Sequence, residues 1–107
     1  MDNKYTIQDM REIWGDYFDN AAIKPEKDSD VLFVGSQYEN WSGSAFALFV
    51  KDGKIYECND VHCSCNGFEN YNPEETSKEA LLMRKFYGWE YSDARNIAIA
   101  IANLDSK

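Results

Sequence analysis

The chain's one histidine, His62, stands beside Cys63 and three residues before Cys65, and the third cysteine, Cys58, lies four residues before it. These are four plausible zinc ligands, because zinc takes four nitrogen or sulfur donors in a tetrahedron. Their spacing is poor for that purpose. Structural zinc sites usually draw ligand pairs from separate segments, whereas here all four donors lie within one short stretch. On an extended segment Cys63 and Cys65 share a face that His62 does not. A small zinc-binding module built on Cys58, His62, Cys63 and Cys65 is therefore the alternative reading, and a sheet-to-helix junction is the favoured one.

Thiol chemistry fits less well. The C-x-C spacing is not the C-x-x-C of dithiol oxidoreductases, and no helix start is evident there to lower a thiol pKa. A Cys–His nucleophile needs a base and a group that orients it, and the chain has no second histidine. Free cysteine otherwise packs as a small buried hydrophobe. Cys63 and Cys65 are then expected to face inward, with Asn66-Gly67 reversing the chain and Phe68 and Tyr71 holding the next segment to the core. The sequence has no glycine-rich phosphate loop, no G-x-S-x-G and no H-E-x-x-H. No catalytic residue is assigned, the chain is not read as an enzyme, and no cofactor is expected.

Charge sets the other boundary. The net charge is -8, from 19 Asp and Glu against 11 Lys and Arg. Such a chain lacks the basic footprint that binding to nucleic acid needs. An acidic surface instead suits a basic groove on another protein. From residue 57 to residue 79, Glu57, Asp60, Glu69, Glu74, Glu75 and Glu79 face only Lys78. On one surface, these carboxylates would mimic part of a phosphate backbone and steer association. Tyr38 and Trp41, in a loop, add an aromatic anchor to this candidate partner-binding set.

The elements that must position these residues read as one α+β domain over 1–107. A chain of 107 residues suits one core, burying roughly two thirds of its unfolded surface. No apolar run reaches a membrane span, the first residues lack a signal peptide's apolar stretch, and three cysteines make no disulfide framework. A cytoplasmic protein is the expectation. Thr6 and Asp9 cap a first helix whose stripe is Met10, Ile13, Trp14, Tyr17 and Phe18, ending near Asn20. Strands are expected at 31–36, 44–51 and 54–58, with 61–65 as a candidate fourth, in an antiparallel meander of three to four strands with 37–43 as a loop. Asp52-Gly53 calls for a type I′ turn. Asn72 as cap, Pro73 at N1 and Glu75 at N3 predict a helix over 74–87 that stops at Gly88, with Leu82 and Phe86 inward, and Thr76 with Glu79 offers a second capping box. Ser92 opens a last helix carrying Ala94, Ile97, Ala98 and Ile101, and both C-terminal helices pack on one sheet face. The expected core is Ile13, Trp14, Phe18, Phe46, Leu48, Val50, Ile55, Leu82, Phe86, Ile97 and Ile101.

The run "SGSAFALFVKDGKIYECNDVHCSCNGFE" followed by "PEETSKEALL" resembles small proteins encoded by bacteriophages and prophages. These share an aromatic-rich strand pair around a D-G turn, then H-C-S-C with a glycine, then P-E-E-T opening a helix. The resemblance covers about residues 41 to 82, and Cys58 departs from it, standing where an apolar strand residue is expected. It implies a phage origin and carries no activity. Small accessory phage proteins often bind host proteins, and some block host defence. The resulting expectation is an inhibitor, in the host cytoplasm, that occludes a host defence or nucleic-acid-handling protein.

Overall fold

The computed structural model describes residues 5–39, 42–63, 68–83 and 94–102. Its first helix, α1 (Ile7–Trp14), starts as its sequence dictates. The Thr6 side chain accepts the Asp9 N–H at 3.2 Å, and the Asp9 carboxylate accepts the Thr6 N–H at 2.8 Å. This reciprocal box satisfies two amide donors that a helix start leaves over. The helix does not run on to Asn20. Gly15 takes φ 56° and ψ -129°, a conformation open to glycine and little else, and a separate turn, α2 (Asp16–Asp19), follows. The break keeps Phe18 buried but leaves Tyr17 exposed, so the apolar stripe is not continuous.

After a 3-10 turn at Asp28–Asp30 come β1 (Val31–Glu39), β2 (Ser42–Lys51) and β3 (Lys54–Cys63). β1 runs through to Glu39, so the expected 37–43 loop is mostly strand, with Tyr38 opposite Gly43. Asp52 at φ 54° and Gly53 at φ 77° make the tight reversal between β2 and β3. All strands pair antiparallel in the order β1-β2-β3-β4.

The fourth strand, β4 (Glu74–Thr76), is where the expected helix should have begun. Ile55, Tyr56 and Glu57 of β3 pair with Thr76, Glu75 and Glu74, and that ladder overrides the local capping signals. The helix α3 (Lys78–Met83) starts one step later. Ser77 caps it, its Oγ accepting the Ala80 N–H at 3.1 Å. In this helix Leu81 is buried and Leu82 is exposed, where the sequence reading puts Leu82 inward. Phe86, Gly88 and Ser92 lie outside the described residues. The last helix, α4 (Ala94–Ala102), settles the ambiguous "IAIAIA" run as helix.

β2 shows why the sheet is covered on both sides. Ala45, Ala47 and Phe49 join Met10, Trp14, Phe18, Cys58 and Phe68 in one cluster. Phe46 and Leu48, the alternate positions, join Leu81, Ile97, Ala100 and Ile101 in the other. The period of two thus sends one set under the N-terminal helices and the other under both C-terminal helices. A register shift between Val31 and Phe33 places Leu32 and Phe33 together in the second cluster, as a bulge does. Ile13, Val50 and Ile55 pack against these clusters while only partly buried. The result is a small α+β domain, and among the described residues no helix is long and apolar enough to cross a membrane.

Candidate functional site

β3 carries five of the candidate residues, Glu57, Cys58, Asp60, His62 and Cys63, and its alternation decides where the first four point. Cys58, Asp60 and His62 share the face that α1 covers. Asp60 is only 7% exposed, yet three donors converge on it. Trp14 Nε1–H and the Asn70 N–H each reach Oδ2 at 3.1 Å, and the Val61 N–H reaches Oδ1 at 2.8 Å. A buried carboxylate is tolerable only with such partners. Asp60 thereby ties α1 and the segment after residue 67 to the central strand.

Two residues earlier, Cys58 is fully buried. Its thiol hydrogen-bonds the Tyr71 phenol, which donates to the Ile23 carbonyl at 2.9 Å. Burial pushes the Cys58 thiol up to about 12, the neighbouring Glu57, Asp60 and Glu74 charges add to this, and the Tyr71 bond opposes it. Tyr71 is itself shifted upward by burial. Its ring meets Trp14 and Phe18 edge-on, at centroid distances of 5.4 and 5.3 Å. A neutral buried thiol is a poor nucleophile, and here it is part of the packing. His62 stands edge-on to Phe68 at 4.3 Å and lies directly against Gly43.

This geometry separates two of the four zinc donors named from sequence. Cys58 and His62 are four residues apart on one regular strand, roughly 13 Å at a rise of about 3.3 Å per residue. One ion with ligand bonds of about 2.0–2.3 Å cannot span that distance. Among the described residues no three His, Cys, Asp or Glu side chains cluster as a metal site would require. Cys63 ends β3, but its side chain and Cys65 lie outside the described residues, as do Asn66 and Gly67.

The acidic set is divided as well. Glu57 faces the C-terminal helices at 6% exposure and accepts from Asn59 Nδ2 at 2.8 Å. Glu57 and Asp60 are thus buried on opposite faces of the sheet, and neither belongs to the exposed acidic surface. Glu69, Glu74, Glu75 and Glu79 are exposed. Glu74 stands opposite Glu57 in the ladder, while its neighbour Glu75 faces the other way, 3.8 Å from Lys54 Nζ. Trp41 lies outside the described residues, as does the side chain of Tyr38.

A further feature had no obvious sequence signal. Ser44, Ala45, Asn59, Asp60, Val61 and Asn70 line an open depression of about 250 Å³ beside β3. The alternation Cys58-x-Asp60-x-His62 could have flagged a polar stripe on one strand face. The depression itself depends on where the chain goes after β3. No protein-family model matches the chain, and no curated protein or solved structure matches it.

Proposed function

We propose that this is a phage-encoded interaction protein, an inhibitor that occludes a basic, nucleic-acid-binding surface on a host protein. The observation that carries the reading is the exposure of the carboxylates at Glu69, Glu74, Glu75 and Glu79, on a chain of net charge -8. Among these four the described ion pair is the solvent-exposed one between Glu75 and Lys54. Exposed pairs of this kind contribute little, about 0–1 kcal/mol, so Glu75 stays available to a stronger cation. Two further facts favour binding over catalysis. The Cys58 thiol is buried and held neutral, and the His62 ring is packed between Phe68 and Gly43.

The resemblance to phage proteins supports a partner from a bacterial host. The surface is smaller than the sequence alone suggests, because Glu57 and Asp60 do not contribute. Capture of partners from host lysate tests the reading, comparing the native chain with the triple variant Glu69→Lys, Glu74→Lys, Glu75→Lys. The variant should lose its partner, and capture by the native chain should weaken as salt rises, mainly through slower association. A folded triple variant that retains its partner at every salt concentration would rule out the acidic-surface mechanism.

A further inference from the structure

We infer that the outer edge of β3 at Asn59 and Val61 accepts an extended segment of a partner protein, with a lysine or arginine side chain entering the depression beside Asp60. The inference rests on the reading above for the partner's basic character and adds how it is gripped.

The edge opens because β4 is short. The β3–β4 ladder stops at Glu57 and Glu74, so Asn59 has no partner in β4. Beyond that point the Asn70 N–H goes to the Asp60 side chain and not to the β3 backbone. In an antiparallel sheet, successive residues turn their backbone groups alternately to one neighbour and the other. The Val61 N–H is bonded to Asp60 Oδ1, so it is not used on β2. The odd positions of β3 therefore face outward. Ile55 and Glu57 meet β4, and Asn59 is next in line with its N–H and C=O toward the depression. Among the described residues no other backbone group takes them. The Val61 carbonyl follows two residues on, and its side chain is 76% exposed.

An unpaired strand edge is a template for another strand, and main-chain bonds there combine with side-chain pockets to give peptide recognition. The pocket is the depression itself, whose polar lining includes Ser44, Asn59, Asn70 and the Asp60 carboxylate. Exposed Glu69 and Glu74 lie on the chain that leaves and rejoins this edge. A cationic side chain is the complement of such a site, and an acidic segment would be repelled.

The test uses two capped peptides, Thr-Lys-Val-Arg-Thr and Thr-Glu-Val-Glu-Thr, titrated into nitrogen-15-labelled protein while amide shifts are followed. The cationic peptide should shift the Asn59, Val61 and Asn70 amides saturably, and the anionic peptide should bind at least tenfold more weakly. Val61→Lys, at an exposed position, should weaken the cationic peptide at least tenfold, and Asn59→Pro, which deletes the outward N–H, should abolish its binding. No saturable shift at Asn59, equal binding of both peptides, shifts centred on β1, or full affinity in a folded Val61→Lys protein would each overturn the inference. Because the probes are synthetic, a negative result here with host-protein capture intact would remove only this groove. Peptide binding without host capture would leave the groove standing and remove the inhibitory reading.

Discussion

Gly43 and His62 face each other across the β2–β3 ladder, and a Cβ on Gly43 would stand 2.5 Å from His62 Nε2. The imidazole occupies the space that a side chain would need. Gly43→Ala should therefore destabilise the fold by about 1–3 kcal/mol, the usual cost of overpacking. Combining it with His62→Ala should recover most of that loss, which a double-mutant cycle by urea unfolding would measure. An equal Gly43→Ala penalty with and without His62 would mean that the ring is not the obstacle.

Asp60 is the acceptor for donors from three parts of the chain, at Trp14, Val61 and Asn70. Asp60→Ala leaves the buried Trp14 indole N–H and two partly buried amides without their acceptor and should cost about 2–4 kcal/mol, since hydrogen bonds to charged groups count for more than neutral ones. Asp60→Asn keeps one acceptor oxygen and should cost less. Thermal unfolding followed by tryptophan fluorescence ranks the two, and the reverse order would contradict the role assigned to the carboxylate.

Cys58 predicts a slope in stability at alkaline pH. Its folded pKa of about 12 lies above the ordinary thiol value of 9.0. The contribution is then fully present below pH 9.0 and is lost as pH rises toward 12, because the unfolded thiol ionises first. The slope for one proton is about 1.4 kcal/mol per pH unit. Tyr71, also shifted upward, acts in the same sense at higher pH. Cys58→Ala should flatten the profile between those limits. In a Cys63→Ser, Cys65→Ser background, thiol reagents should modify Cys58 only at the rate set by unfolding, and rapid labelling of the folded protein would refute its burial.

Leu81 and Leu82 separate the observed helix from the expected one. Leu81 is 1% exposed and Leu82 is 61% exposed. Leu81→Ala should cost about 2–5 kcal/mol, and Leu82→Ala about 0.5 kcal/mol or less. Chemical denaturation of the two variants reads this difference directly, and a larger loss at Leu82 would restore the helix start inferred from Asn72 and Pro73.

Much of the fold was legible because its signals are local. The Thr6–Asp9 box, the Asp52-Gly53 turn and the two-residue alternation of β2 each depend on neighbours within a few residues, so their chemistry is visible in the chain. The antiparallel meander of β1 to β3, the start of the first helix and the sharing of one sheet face by both C-terminal helices follow from those patterns. The segment 72–79 was not decidable in that way. Asn72, Pro73 and Glu75 suit a helix start, and Glu74–Thr76 equally suits a short strand. Pairing with Ile55–Glu57, about twenty residues upstream, decides it.

The candidate site shows the same division more sharply. Sequence establishes an excess of carboxylates between residues 57 and 79 and concentrates the reactive side chains near His62. It does not say which of them water can reach. That depends on Trp14, 46 residues away from Asp60, on Tyr71 closing over Cys58, and on the pleat of β3 and β4. The pleat sends adjacent acids to opposite faces. Burial is a property of what packs above a side chain, and only the tertiary structure supplies that neighbour.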